Sequence, residues 1–444
     1  MSACESHAIM GTPQIDQLRD LSGQSIETCY HCHKCRAGCP VLPAMDYGPD
    51  RILRLLHLGQ WERVLTSRDV WLCLGCEMCG AHCPNGIDVG AVMIALREIA
   101  AAQGYRAEDC AKLRDRLRDQ LDAAPRDDQP VAPHDPTLPK VDDRLCAGIQ
   151  RLNQLSNTVA AAHNVSGDDN DDRLIWSQNL AHIPEGLTQK PGADLVYFVG
   201  CVGAFFPRSY RVPQALTRVL EAADADFTTL GGEEWCCGYP IFAIGDKERA
   251  AELARHNVAR VEALGAGRLV TTCPSCYHAW KHLYPDLVDH DLAVEILHAT
   301  ELLAELVSEG DLLLGELPVR ATYHDPCDLG RKGHVYDAPR RILRAIPGLT
   351  FVEMNGSGQI SECCGGGGNV ESFDPDAVSG VAHHRIDRAC EVEAEMIVSA
   401  CQQCERTLMG AVRRHKEARR ARIRVVDVAE LVWQAVESGR EGNA

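Results

Sequence analysis

The placing of cysteine constrains this chain more than any other feature. Eight cysteines lie in two runs of one form, Cys29-x2-Cys32-x2-Cys35-x3-Cys39-Pro40 and Cys73-x2-Cys76-x2-Cys79-x3-Cys83-Pro84. Ten more make two sets of five: Cys201, Cys236, Cys237, Cys273 and Cys276, then Cys327, Cys363, Cys364, Cys401 and Cys404. Of the 22 cysteines only Cys4, Cys110, Cys146 and Cys390 fall outside these patterns, and they read as ordinary buried or surface thiols. The N-terminus, MSACESHAIMGTPQIDQ, has no charged-then-apolar leader and no twin arginine, so secretion is not expected. Disulfide frameworks belong to oxidising compartments, so the thiols point instead to metal or redox chemistry. A formal charge of −18 disfavours a nucleic-acid partner, because phosphate affinity needs a basic surface. The most apolar stretches, such as 90–96 and 195–203, fall short of the ~20 residues of a spanning helix, so no transmembrane segment is expected.

The two N-terminal runs have the spacing of bacterial two-cluster ferredoxins. In that arrangement a tight loop presents three thiolates to one cluster, and the fourth cysteine, before proline, turns to the other. By this rule Cys29, Cys32, Cys35 and Cys83 hold one cubane [4Fe-4S], and Cys73, Cys76, Cys79 and Cys39 hold the second. Paired zinc knuckles fit poorly, since zinc sites use two well-separated ligand pairs. Between the runs, Asp50–Thr66 carries Ile52, Leu55, Leu56 and Trp61 at helical spacing, and Gly90–Ala102 is a further amphipathic helix. His31, His33 and His82 sit inside the loops, either tuning potential through hydrogen bonds to sulfur or simply as exposed polar residues.

From about 103 to 191 the pattern weakens. Ala107–Ala123 and Arg144–Ala162 read as helices, separated by Pro- and Asp-rich stretches that mark a domain boundary. Beyond it the chain repeats. Corresponding cysteines stand 126 to 128 residues apart, as in Cys201 and Cys327, Cys236 and Cys363, Cys273 and Cys401. Each half reads strand, Cys, helix, strand, Cys-Cys-Gly, helix, strand, Cys-x-x-Cys. Strands are expected at Asp194–Gly200, Arg268–Thr272, Arg320–His324 and Met396–Ala400, and helices at Val212–Ala223, Lys247–Leu264 and Ala377–Glu391. Such alternation predicts parallel sheets, whose ligands gather beyond the carboxyl ends of the strands.

Five cysteines per half is the informative number, because zinc or a single conventional cluster takes four and leaves one spare. A structural zinc, a reactive vicinal dithiol, and a larger or distorted iron–sulfur cluster using all five remain as readings. Gly238 and Gly365 follow the adjacent pairs, where glycine lets a bulky ligand or substrate approach backbone.

The patterns C-x34-C-C-G-x34-C-x2-C at Cys201–Cys276 and C-x35-C-C-G-x35-C-x2-C at Cys327–Cys404 closely resemble the CCG domains of heterodisulfide reductases. The segment DRILRLLHLGQWERVLTSRDVWLCLGCEMCGAHCP is similar to their small iron–sulfur subunit. The chain therefore resembles a fusion of the small and catalytic subunits, and also the related subunits of sulfate-reduction and sulfur-oxidation complexes. The resemblance implies a noncubane [4Fe-4S] cluster on each five-cysteine set, with a disulfide cleaved between the two. It further implies an oxidoreductase acting on sulfur groups, with a disulfide or sulfur carrier as substrate. Relatives that oxidise glycolate, lactate or glycerol phosphate share the plan with a relay role, which is the alternative reading.

The expected fold is α+β overall. An N-terminal α-helical two-cluster ferredoxin occupies 20–105, a helical or linker segment of unassigned role 106–192, and duplicated α/β CCG domains 193–310 and 311–437. His324 and Asp325, beside Cys327, are candidate proton donors to a departing thiolate, with turn residues hydrogen-bonded to backbone as the plainer reading. Arg208, Arg211, Arg331 and Lys332 are candidates for holding an anionic substrate, with solvated surface charge as the plainer reading. No G-x-G-x-x-G follows a strand, so electrons are expected to pass to or from a flavoprotein subunit or a membrane cytochrome b with quinone. The expected location is cytoplasmic, peripheral on the inner face of the membrane through such a partner.

Overall fold

Short, largely buried strands belong to parallel sheets covered on both faces, and the C-terminal half is built on them, with β1 (Leu195–Phe198) and the strand Met396–Ser399 buried throughout. The computed structural model describes residues 13–106, 143–288 and 290–441. The expected helix at 107–123 lies outside these residues, as do Cys4 and Cys110. The described residues form two compact units, one of 13–106, 143–154, 243–246 and 368–377, the other of 155–242, 247–367 and 378–441. The fold is α+β: a helical ferredoxin-type unit, then a duplicated α/β unit.

In the first unit, helices Pro13–Ser22, Pro49–His57, Trp61–Leu65 and Val89–Ala102 bury Leu18, Ile52, Leu56, Val64, Val92 and Leu96 in one core. The single helix expected over 50–66 is two, because the chain turns at Gly59, where φ is +71°. Asp88 caps the Val89–Ala102 helix by accepting from the Gly90 and Ala91 amides. From that helix the buried Arg97 donates to the carbonyls of Val70, Cys73 and Ala243 at 2.8, 2.7 and 2.6 Å. The segment 368–377 is held by an Arg68–Asp374 ion pair of 2.5 Å and by Arg151 donating to the Ser372 and Phe373 carbonyls. Cys146 is disulfide-bonded, which corrects its reading as a free thiol.

The second unit holds two four-stranded parallel sheets. The first comprises β1 (Leu195–Phe198), β2 (Phe227–Thr229), β3 (Arg268–Thr271) and β4 (Glu295–His298) in the order β2-β1-β3-β4. The second comprises β5 (Arg320–His324), β6 (Thr350–Phe351), β7 (Met396–Ser399) and β8 (Arg424–Asp427) in the order β6-β5-β7-β8. Register places Phe198 opposite Thr271 and His324 opposite Ser399, so the strand ends that precede the cysteines lie side by side. The halves pack through the helices Arg211–Ala222 against Val428–Glu441 and Ala299–Glu309 against Asp337–Ala345.

The glycine after each cysteine pair has a reason other than ligand access. Gly238 and Gly365 have φ of +79° and +90°. A Cβ on Gly365 would stand 2.9 Å from the Val378 carbonyl oxygen, and one on Gly238 would stand 3.1 Å from that of Ala250. What approaches the backbone is the following helix. Gly365→Ala should therefore cost roughly 2–4 kcal/mol of stability through positive φ and overpacking. Gly380→Ala, in a helix with open space around it, should be neutral or gain up to about 1 kcal/mol. Unfolding temperatures of the two variants, moving in opposite directions, check this.

Candidate functional site

In the first unit the loops of the two ferredoxin runs turn alike. His33 and Glu77, each between the second and third cysteine of its run, adopt φ of 63° and 56°. Cys29 neighbours Cys32, Cys35 and Cys83. Cys39 crosses over to line one apolar cavity with Cys73, Cys76 and Cys79. Burial pushes the Cys35 thiol up to about 11 and raises those of Cys39, Cys73 and Cys79. A protonated thiol is no ligand, so thiolates at this depth call for a bound cation. Among the described free cysteines only Cys32 is exposed.

The loop histidines are less free than polar loop residues. His33 Nδ1 meets Asp50 at 2.8 Å. His57 Nε2 donates to the Ile26 carbonyl at 2.9 Å, so its Nδ1 accepts from His31 Nε2 at 3.2 Å. The nitrogen that His31 turns to Cys29 Sγ, at 3.8 Å, is then a bare lone pair, and hydrogen-bond tuning of that sulfur loses its donor.

In the second unit the first set forms a chain of neighbours, Cys201 to Cys236, Cys237, Cys276 and Cys273. Cys201 is anchored by residues the sequence reading passed over. Arg173 donates to Cys201 Sγ at 3.4 Å and to Glu234 at 2.6 Å. Glu234 also accepts from the Val199 and Gly200 amides at 2.8 and 2.9 Å, fixing the turn that carries Cys201. Arg173 and Glu234 are each 2% exposed. The Cys236 amide donates to the His163 carbonyl at 2.7 Å, and His163 stacks on Trp235. The segment read as linker thus supplies both a guanidinium and a backbone acceptor to this site.

In the second set Cys364 Sγ and Cys404 Sγ are 3.2 Å apart, and a ring nitrogen of His324 lies within 4.8 Å of both. The Cys404 amide donates to Cys401 Sγ at 3.3 Å. Burial lowers the His324 imidazole and keeps it neutral. The two sets approach each other, with Cys273 neighbouring Cys401 and Gln402 donating to Thr272.

Each set has one half-buried member, Cys273 and Cys327, and both stand beside Asp328. Asp328 joins a network drawn from the two halves. Lys332 Nζ donates to Asp328 at 2.8 Å and to the Tyr239 hydroxyl at 2.6 Å, and Ser275 donates to Asp328 at 2.7 Å. The Lys332 side chain is 6% exposed. Burial works against ionisation, yet Lys332 holds Asp328 below the usual carboxylate range. The other anion-binding candidates fall away from this network. Arg331 donates to the Ser361 and Gln359 carbonyls, while Arg208 and Arg211 are exposed.

The donor chemistry fits iron–sulfur clusters. Free cysteines converge in every set, four of the five in each C-terminal set being buried, and the buried His324 Nε2 and Arg385 Nη2 have no hydrogen-bond partner. No helix among the described residues is long and apolar enough to cross a membrane.

Residues 195–281 and 321–409 match the cysteine-rich domain family, and residues 25–87 match the 4Fe-4S dicluster domain family. Over 454 residues the chain is 30% identical to a subunit of the dihydromethanophenazine:CoB–CoM heterodisulfide reductase of Methanosarcina barkeri, covering 96% of this chain and 98% of that one. Over 261 residues it is 35% identical to the EtfAB:quinone oxidoreductase of Syntrophomonas wolfei, covering 56% and 36%. A hypothetical protein from Helicobacter pylori shares the fold with a TM-score of 0.55 at 11% identity, covering 96% of this chain and 73% of that one.

The Arg173–Glu234 pair gives a test independent of metal. Glu234→Ala leaves a buried guanidinium without its carboxylate and should cost about 3–5 kcal/mol. Arg388→Ala, which breaks the part-exposed pairs of Arg388 with Glu391 and Glu362, should cost under about 1 kcal/mol. Thermal unfolding of the two variants reads the difference.

Proposed function

Because this chain belongs to the family of iron–sulfur subunits of heterodisulfide reductases, we propose that it is the catalytic iron–sulfur subunit of an oxidoreductase that cleaves, or in reverse forms, a disulfide between its two five-cysteine sites. The observation that carries this reading is the meeting of Cys273 and Cys327, one from each set, at Asp328. A relay needs no such meeting of the two sets.

Cys29, Cys32, Cys35 and Cys83, and Cys39, Cys73, Cys76 and Cys79, would each hold a cubane [4Fe-4S]. Cys201, Cys236, Cys237, Cys273 and Cys276 would hold one noncubane cluster, and Cys327, Cys363, Cys364, Cys401 and Cys404 the other. Bound there, the clusters supply one-electron steps and iron with affinity for sulfur. The overall change is RSSR′ plus two electrons and two protons to RSH and R′SH. The protein's own part is electrostatic and steric. Lys332, held by Asp328 and Tyr239, sets an ammonium where negative charge builds on the departing sulfurs. Arg173 and Glu234 keep Cys201 in place while charge changes next to it. The electrons come from a partner subunit, a flavoprotein or a membrane cytochrome b with quinone, which would hold this chain at the inner face of the membrane.

A second reading, a pure electron relay, draws on the likeness to the EtfAB:quinone oxidoreductase. Turnover separates the two. Anaerobic protein supplied with a reduced dye should release thiol from an added disulfide, and the oxidised protein should give a new paramagnetic signal with added thiol. Lys332→Met should lower the rate by roughly 10–1,000-fold. A relay would carry its iron yet show neither turnover nor the signal.

A further inference from the structure

The two halves differ where the repeat leads one to expect likeness. At the offsets of 126 and 128 residues set by the cysteines, His324 corresponds to Phe198 and Arg385 to Asn257. Phe198 has no hydrogen to donate. Asn257 is spent on the Trp235 and Cys236 backbone and the Tyr284 hydroxyl.

In the second half Arg385 is fully buried. Its Nε donates to His324 Nδ1 at 3.1 Å, and its Nη1 donates to the Gly356 carbonyl at 2.9 Å. A guanidinium only donates, so Nδ1 must be the bare nitrogen of the ring. The proton of the neutral imidazole is therefore on Nε2, which is buried with no other partner. This tautomer cannot ligate iron through Nε2, and it leaves an unspent N–H on a ring of which one nitrogen lies within 4.8 Å of both Cys364 Sγ and Cys404 Sγ.

The charge behind the ring is also uncancelled. Among the described residues no carboxylate pairs with Arg385. Asp325 and Glu362, which influence it, are bound by Arg340 at 2.7 Å and Arg388 at 3.3 Å. Burial lowers Arg385 to about 10, which leaves it cationic at neutral pH. In the first half the buried Arg173 also donates to a cysteine sulfur, Cys201 Sγ at 3.4 Å, but there the charge is neutralised by Glu234 at 2.6 Å.

We propose that His324 and Arg385 are positioning residues that set the second five-cysteine site at a higher reduction potential than the first, His324 Nε2–H donating to the Cys364 and Cys404 thiolates and Arg385 fixing the tautomer and adding positive charge. Donors and cations near cluster sulfur favour the reduced, more negative state. Electrons arriving at the pair therefore collect on the second site, and the two fragments of a split disulfide meet unequal partners.

The inference rests on the reading that the five-cysteine sets hold clusters, and the test separates the two. The full chain, purified anaerobically, is titrated by paramagnetic resonance; the signal absent from Cys364→Ser marks the second site. His324→Phe, which copies the first half, should lower the ratio of reduced to oxidised second site at fixed potential at least tenfold, about 59 mV for one electron. The first-site signal should stay where it was. His324→Gln, which keeps an N–H, should recover most of the shift. Arg385→Gln keeps a donor to Nδ1 but removes the charge, and should shift the potential in the same direction, which covers a failure of His324→Phe to load iron. Full iron with unchanged potential in either variant overturns the proposal and leaves the cluster reading standing. A wild-type chain without iron at the second set overturns that reading instead.

Discussion

Parallel pairing of β1 with β3, and of β5 with β7, governs where every sulfur of the second unit can go. Parallel strands end together, and here each ends just before a cysteine, so the thiols gather at one edge of each sheet. Burial there makes the gathering costly unless a cation is present, because a thiolate deep in protein has lost its water. The same problem arises in the ferredoxin loops, where burial raises Cys35, Cys39, Cys73 and Cys79. Metal loading is thus coupled to the fold rather than added to it.

Buried arginines are the second common element. Arg97 ties the Cys73 carbonyl to neighbouring chain, Arg173 stands against Cys201, and Arg385 orients His324. Each sits beside a sulfur-bearing segment, where a guanidinium can offset negative charge and satisfy several acceptors at once. Arg173 is matched by a buried carboxylate close at hand, Glu234, whereas among the described residues no carboxylate pairs with Arg385. The duplicated halves have kept their cysteines and diverged in the groups behind them, so a symmetric cysteine pattern has different charged neighbours in its two copies.

Much of this was legible in the sequence because covalent spacing is local. The Cys-x2-Cys-x2-Cys-x3-Cys-Pro runs, the four strands that precede cysteines and the helix Lys247–Leu264 all announce themselves within a few residues. The edge strands β2, β4, β6 and β8 do not, being two to four residues long and without a clear alternating pattern. Arg173 was hidden for a different reason. It directly follows the run Asp168–Asp172, and an acidic run reads as solvated loop unless the cation after it is known to face a buried carboxylate 61 residues later. His324 was visible as a histidine beside a cysteine, but its tautomer depends on Arg385, also 61 residues away. The helix contact of the glycine after each cysteine pair was not legible, since helix approach and ligand approach leave the same mark in sequence.

The metal and acid-labile sulfide content of anaerobically purified protein tests the central claim most directly, namely that all four cysteine sets hold iron–sulfur clusters. The account predicts about sixteen irons and a similar amount of sulfide per chain, with no zinc. About eight irons, or zinc in proportion to the five-cysteine sets, would contradict it.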